Sequence, residues 1–579
     1  MNRPLSLVRP TRVITVPGGR RSALQRARER LFRTMIVVMA LFMAVTFRLF
    51  QLTVLEADNS ASPIQSLAQI PVPPRAHITD RHGAILAKSI PSRTLIVRPH
   101  EIMDREAATA QVLKVIPELK YAYVNARLEP TAPMRKIKRH ISARQAGYLS
   151  AYGDPGLQFE DEYRRAYPAG RLAAQVIGFA DADGVGRLGV ESYFNARLSD
   201  TQQRKVPLRL SLDMRVQHAL EDELLKGIAR YQARAGLGAV LHIATGEVFA
   251  MASLPDFDPN DVTASPAAYQ ANRVTDRTYE LGSTFKTFTM AQGLELGLIK
   301  PATICDASEP LQLGDKIIYD RWAIRRPMTM AQALIRSSNT CAGRLGVAIG
   351  AERQRAFLSA LGLLKPLRVE LNETSTYRMA SRWGKIASAT VAYGHGIAVT
   401  PLHLAQAAAT VLNDGRRVEA TLLPHGSAMV MPQPISNPPV LSAPHARAVR
   451  QMLRLAVAQG TGRAADVPGL RVGGKTGTAE RARSDALGYD KEHNINTFLG
   501  AFPMHAPQYV IVMLLDSPQA VSKNGARGAG ANVAHIAGQF IQRSATFLGV
   551  TPQFHSEDWL SDTMVQTAAY APPQGWEGR

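Results

Sequence analysis

Three short clusters along the chain carry side chains whose types and spacing suit acyl transfer. Ser283-Thr-Phe-Lys286 sets a hydroxyl and an amine three residues apart, Ser337-Ser-Asn339 follows, and Lys475-Thr-Gly-Thr478 completes the set. Each cluster alone recurs by chance, whereas the three in this order form a specific signal. Gly282 before the serine and the apolar residues Phe285, Phe288, Ala291 and Leu294 after it predict a helix that begins at Ser283. Free N–H groups and the dipole at a helix start favour developing negative charge, and the i, i+3 spacing turns Lys286 to the same side. A serine hydroxyl is a weak nucleophile until a base takes its proton. Lysine serves as that base only when burial or a nearby cation lowers its pKa from about 10.4. Phe285 and Phe288 could supply part of that desolvation.

Ser337 and Asn339 leave an apolar run, Met330 to Ile335, through a turn that can aim a hydroxyl and an amide into one cleft. The hydroxyl could relay a proton and the amide could hold a substrate carbonyl. Lys475 to Thr478 lies in a strand-like run, LRVGGKTGTAE, where glycine marks the close approach of another backbone. An extended peptide could pair with this strand as an added edge. Lys475 would then supply positive potential, and Thr476 and Thr478, on either side of Gly477, could hydrogen-bond a carboxylate. The main-chain N–H groups of Ser283 and Thr478 would form an oxyanion hole. A phosphate-binding loop is the competing reading of this stretch, but the Walker glycine spacing is missing.

These residues need elements to position them, and 579 residues with 46% hydrophobic and 20% charged side chains supply more than one core. Strand patterns at Leu208–Leu212, Gly238–Ala252, Leu470–Ala479, Thr497–Phe502 and Tyr509–Asp516 enclose a mainly helical middle from Thr284 to about Thr410. Helices are also predicted at Val216–Ala229 and Asn532–Leu548. Strands at both ends with helices between them predict an α+β fold. Ahead of this domain, Arg75–Ala87 reads as two strands around a turn at Asp80–Gly83, and Asp104–Ile116 as a helix. The expected organisation is an arm over 1–33, an apolar span over 34–55, a non-catalytic module over 56–205, a catalytic domain over 206–548 and a loose tail over 549–579.

The net charge of +21 is unevenly placed, with nine arginines and one acid in the first 33 residues. No nucleic-acid-binding motif accompanies it. Instead the arginines precede Thr34–Leu55, which at about 1.5 Å per residue is long enough to cross a bilayer. Arginines before the span and few after it place the N-terminus inside and the remainder outside. A cleaved signal peptide, with a small-residue site near Ala57–Ala61, is the alternative. Cys305 and Cys341 are the two cysteines, and their spacing leaves open whether they pair.

Taken together, RAHITDRHGAILA (75–87), RAYPAG (165–170), GVE (189–191), YELGSTFK (279–286), TPLHLA (400–405) and GGKTGTAE (473–480) resemble the class B penicillin-binding proteins. The run Gly156–Phe194 is most similar to the cell-division branch, the FtsI type. The resemblance implies a single transmembrane helix, a pedestal or dimerisation-like module, and a transpeptidase domain of the serine β-lactamase-like kind, an antiparallel sheet flanked by helices. It implies a D,D-transpeptidase that cross-links stem peptides ending in D-Ala-D-Ala at the septum, held in the inner membrane with its catalytic domain periplasmic. Ser283 would be nucleophile, Lys286 its base, Ser337 the proton relay to leaving D-alanine, and Asn339 a substrate-amide ligand. Lys475, Thr476, Gly477 and Thr478 would form the carboxylate-binding strand. Penicillin and other β-lactams are implied as ligands, an FtsW-type glycosyltransferase and divisome proteins as partners, and no metal or organic cofactor. Leu281 stands where a proline is typical, and Ala76 where a glycine is. An elongation-type transpeptidase or a division scaffold remains the alternative within the family. A β-lactamase or penicillin sensor shares the three motifs, but the anchor with a large module before the catalytic domain argues against the first. The thirty or so residues before the span leave no room for the signalling domain that the second requires.

Overall fold

The computed structural model describes residues 19–50, 74–320, 325–379, 382–427, 429, 438–482, 489–521, 527–554 and 557–569. The chain divides into two units, Met1–Pro71 and Val72–Arg579. In the first, helix α1 runs unbroken over Gly19–Phe50. It begins well before the expected span because Arg20–Arg33 contains neither glycine nor proline to stop it. The stretch long and apolar enough to cross a membrane is Arg30–Arg48. Its large apolar side chains, from Leu31 to Phe47, are exposed all round the helix, which suits apolar surroundings rather than a surface helix. Residues 51–55 of the expected span lie outside the described residues.

The second unit opens with a small sheet. Strands β1 (Ile78–Thr79), β2 (Ile85–Val97), β3 (Arg135–Ile141), β4 (Leu157–Ala166) and β5 (Leu208–Arg209) pair in the order β3-β2-β1-β5, with β4 also on β2. The Asp80 carboxylate makes the predicted first turn by accepting from His82 N at 2.9 Å and Ala84 N at 2.8 Å. Asp104 caps the helix Arg105–Val115 by accepting from Ala107 N. The motifs around Arg75, Arg165 and Glu191 meet in one buried cluster. Arg75 Nη2 lies 2.8 Å from Glu191 Oε2, and Arg165 Nε lies 2.6 Å from Glu191 Oε1.

The catalytic portion starts with α2 (Met214–Tyr231), β6 (Ala235–His242) and β7 (Val248–Leu254). Helices α3 (Lys286–Glu295), α4 (Met330–Arg336), α5 (Asn339–Ile349), α6 (Pro401–Leu412) and α7 (Ala443–Ala458) follow, then β8 (Gly473–Ala482), β9 (Tyr489–Phe502), β10 (Tyr509–Asp516) and α8 (Val533–Ser544). The sheet has the order β8-β9-β10-β6-β7 and is antiparallel throughout. Its strands come from both ends of the domain, as the α+β reading requires. The middle strand β10 shows why it reads as a continuous apolar run: alternate residues enter different cores. Val510, Val512 and Leu514 join a core with Leu404 and Ala408 of α6. Ile511, Met513 and Leu515 join another with Leu220 of α2 and Phe540 of α8.

Two expectations change. The bridge left open by the sequence is present: Cys305, on a short strand paired with Pro327–Thr329, is joined to Cys341 in the first turn of α5. The region after 548 is not loose where it is described. Helix α9 (Asp562–Ala568) buries Met564, and Thr329 Oγ1 and Gln332 Nε2 donate to the carbonyls of Thr567 and Ala568. Arg454 holds Glu557 at 2.8 Å. Few apolar residues are needed for this docking because α4 and α7 supply the hydrogen-bond donors.

Candidate active site

Ser283 lies in a 3-10 turn, Gly282–Phe285, that runs directly into α3. Three residues per turn eclipse positions i and i+3, so the tighter turn stacks Ser283 on Lys286 more closely than the predicted α-helix would. Lys286 is fully buried, beside the edge-to-face pair of Phe285 and Phe288. Its Nζ is 2.9 Å from Ser283 Oγ, 2.8 Å from Ser337 O, 3.2 Å from Ser337 Oγ and 2.7 Å from Asn339 Oδ1. A neutral amine has two hydrogens and one lone pair. Donating to Ser337 O and Asn339 Oδ1 leaves the lone pair for the Ser283 O–H.

The charge balance supports that neutral state. Burial drives the Lys286 pKa well below the usual lysine value, the Lys475 charge pushes the same way, and Asp320 opposes both. Lys475 is also fully buried, and burial lowers its pKa to about 7. It donates to Ser337 Oγ at 3.0 Å and to Thr476 O at 3.0 Å. Ser337 Oγ therefore stands between the two lysines, one hydrogen bond from each. A left-handed backbone at Ser337, φ 66°, ends α4 and turns the hydroxyl to that position.

The strand β8 closes the other wall. A Cβ on Gly477 would meet Leu281 O at 2.3 Å, so only glycine lets the strand lie against the backbone of the Ser283 turn. Thr476 Oγ1 shares a hydrogen bond with Thr461 Oγ1 at 2.6 Å, and Thr478 Oγ1 accepts from Ala529 N at 3.1 Å. Each hydroxyl keeps hydrogen-bonding capacity for a ligand. All eight residues singled out in the sequence, Ser283, Lys286, Ser337, Asn339, Lys475, Thr476, Gly477 and Thr478, thus come together along this cleft.

Sequence reading missed Asp320. Its carboxylate accepts from Ser338 Oγ at 2.8 Å, Asn339 N at 2.5 Å and Thr340 N at 2.9 Å, so it caps α5 and fixes the Ser337–Asn339 turn. No spacing pattern announces an aspartate eighteen residues upstream. His395, in the loop Tyr393–Gly396, lies with Nδ1 3.9 Å from Glu280 Oε2. Burial, then Lys286 and Lys316, hold its pKa down to about 4, so it is neutral and unsuited to supplying charge. Its loop is a packing element. A Cβ on Gly394 would meet Gly282 O at 2.1 Å, so that loop supports the Ser283 turn from below.

Comparisons with known proteins agree with this geometry. The model of the penicillin binding protein transpeptidase domain matches residues 236–542, and that of the penicillin-binding protein dimerisation domain matches 70–206. The chain is 33% identical to the probable peptidoglycan D,D-transpeptidase FtsI of Caulobacter vibrioides over 504 residues, 82% of each chain. It is 29% identical to the peptidoglycan D,D-transpeptidase FtsI of Escherichia coli K12, covering 77% of this chain and 79% of that one. A crystal structure of penicillin binding protein 3 from Mycobacterium tuberculosis, complexed with aztreonam, superposes with a TM-score of 0.64 at 26% identity. That match covers 83% of this chain and 98% of the other.

Proposed function

This chain belongs to the class B penicillin-binding proteins, as a peptidoglycan D,D-transpeptidase of the FtsI type, and from that premise we propose how its cleft works. Ser283 Oγ attacks the carbonyl between the last two D-alanines of a stem peptide while neutral Lys286 takes its proton. The oxyanion forms against the N–H groups of Ser283 and Thr478. Lys286 passes the proton through Ser337 Oγ to the leaving D-alanine nitrogen, the C–N bond breaks, and an ester to Ser283 remains. The amine of a second stem peptide then attacks that ester, gives its proton back along the same route, and leaves a cross-link. Asn339 holds the donor's amide, and Lys475, with Thr476 and Thr478, holds its terminal carboxylate against β8.

The observation that carries this reading is the fully buried Lys286 Nζ, 2.9 Å from Ser283 Oγ with no carboxylate among the described residues touching it. A β-lactam acylates the same serine, but its leaving nitrogen stays tethered. Mass spectrometry after exposure to penicillin or aztreonam should place one adduct on Ser283 and none in Ser283→Ala. An adduct on another serine would overturn the assignment.

Residues 19–50 form the helix that would hold the chain in the inner membrane, with the arginine-rich end cytoplasmic and the catalytic domain periplasmic. External protease should reach the region beyond residue 72 only after the outer barrier is opened. As a septal enzyme the protein would work beside an FtsW-type glycosyltransferase within the divisome. A fluorescent fusion should gather at midcell, and uniform side-wall labelling would move it to the elongation branch.

A further inference from the structure

Beyond Thr478 the strand β8 runs on to Glu480 and Arg481, which line a cavity of 840 Å³ together with four further arginines and two further carboxylates. We propose that this cavity is a second recognition subsite, in which Arg273, Arg277 and Arg481 bind a carboxylate of the donor stem peptide upstream of the D-alanine that acylates Ser283. The proposal rests on reading Ser283 as nucleophile and β8 as the strand that pairs with the donor.

Geometry and charge lead to it together. Tyr279 lines the same cavity. Burial and then Asp516 raise its pKa to about 12, while Arg273, Arg277 and Arg481 each act on it in the opposite sense. Three guanidiniums, two from the segment Arg273–Arg277 and one from β8, thus line one cavity with this phenol. The facing carboxylates are partly engaged: Asp516 accepts from Ser517 Oγ at 2.7 Å, and Glu280 accepts from Gly396 N at 3.0 Å. The arginines are not. Arg277 has only its chain neighbour Asp276, at 3.9 Å, and Arg273 and Arg481 make no ion pair among the described residues. Glu480 also lines the cavity, which leaves five positive against three negative side chains.

Register places the subsite at a definite distance from the chemistry. The β8–β9 pairing is irregular between Glu480 and Arg481, and such an irregularity re-aims a side chain relative to the strand's alternation. Arg481 is three residues past Thr478, roughly 10 Å along an extended strand. A peptide added antiparallel to the edge strand β8, with its reacting carbonyl at Thr478, brings the residue two positions before the acylated D-alanine opposite Glu480 and beside Arg481, at the wall of the cavity. Guanidinium forks match a carboxylate in two hydrogen bonds. An acidic residue at that position is thus the ligand the cavity fits.

The test uses the full-length enzyme in detergent and two pentapeptide donors ending in D-Ala-D-Ala. They differ only two positions before the acylated D-alanine, where one carries a carboxylate and the other the carboxamide. Wild type should release D-alanine from the carboxylate donor with about tenfold higher kcat/KM, and salt should shrink the preference. The Arg273→Gln/Arg277→Gln/Arg481→Gln variant should treat both donors alike. Its acylation by benzylpenicillin, which does not extend into the subsite, should match wild type and show that it is folded. Equal use of the two donors by wild type, or an undiminished preference in the variant, would overturn the subsite. Failure of penicillin to acylate wild type at Ser283 would instead fell the catalytic reading, and the subsite with it.

Discussion

Two places in this molecule bury cations wholly or almost wholly, and they handle the cost in opposite ways. At the base of the pedestal, Arg75 and Arg165 share the carboxylate of Glu191, whose side chain is 0% exposed. Arg75 is further satisfied by Gly184 O at 2.6 Å, Asn195 Oδ1 at 2.8 Å and Ser199 Oγ at 2.8 Å. In the cleft, Lys286 and Lys475 are surrounded by hydroxyls, carbonyls and an amide, and among the described residues no carboxylate touches either one. An arginine keeps its proton under all ordinary conditions, so burial obliges the fold to supply an anion. A lysine can give up its proton, and withholding the anion turns burial into a means of making a base. The choice of cation and the presence or absence of a partner thus separate a joint that holds the chain together from a site that does chemistry.

The widest separation between the two regions should appear on removing one charged group from each. Lys286→Met takes away the proposed base and leaves a buried apolar side chain of similar length. Penicillin acylation should fall by about 10²–10⁴-fold, while the thermal midpoint stays level or rises, because a desolvated amine has been replaced. Glu191→Gln should do the reverse. It leaves two buried guanidiniums without their anion and should cost about 3–5 kcal/mol in denaturant unfolding. Below its own melting transition the variant should acylate at the wild-type rate. A Glu191→Gln enzyme that loses acylation while still folded would show that the pedestal joint acts on the cleft, and the comparison would fail.

How far the sequence foretold these regions follows from the range of the forces involved. The proposed catalytic set was legible as a cluster because its chemistry needs particular residue types at short spacings, and local backbone delivers them: a 3-10 turn for Ser283 and Lys286, a helix end for Ser337, a strand for Lys475. β10 was legible because a strand buried on both faces must be apolar at every position. Asp320 was invisible because its partners lie eighteen to twenty residues further along the chain, and any carboxylate that reached α5 would serve. The docking of α9 escaped notice for a related reason. Its hydrogen bonds run from Thr329 and Gln332 to backbone carbonyls, and backbone leaves no mark on composition. The Arg75–Glu191–Arg165 joint was quoted as motif but not as contact, since three ordinary charged residues announce nothing until the sheet brings them together.

An intermediate effect is expected at the Cys305–Cys341 bridge, which joins the start of α5 to a peripheral strand pair. Closing that loop should contribute about 2–4 kcal/mol. The Cys305→Ser/Cys341→Ser variant should lose that much stability in denaturant titration. Because Asn339 is held by Asp320 and by Lys286, its acylation rate at low temperature should stay close to wild type. A large loss of rate with little loss of stability would make the bridge part of the catalytic support.

The smallest and sharpest test concerns Asp320, the nearest thing the cleft has to the partner that Glu191 provides in the pedestal. It touches neither lysine. It caps α5 through Asn339 N and Thr340 N, and its charge is the one influence that raises the Lys286 pKa. Asparagine can accept the same two backbone hydrogen bonds, so Asp320→Asn removes the charge and largely keeps the shape. Loss of a carboxylate at a helix start should cost about 1 kcal/mol of stability. In the proposed mechanism acylation requires neutral Lys286, so its rate should rise as pH passes upward through the lysine pKa. Without Asp320 that pKa falls further, and the ascending limb of the acylation profile should move to lower pH. At the foot of the limb the variant should then be faster than wild type, although less stable. If the limb stays in place while stability drops, Asp320 is a cap alone. If the limb moves to higher pH, the protonated lysine was not being held by Asp320, and the contrast between a paired and an unpaired buried cation would have to be redrawn.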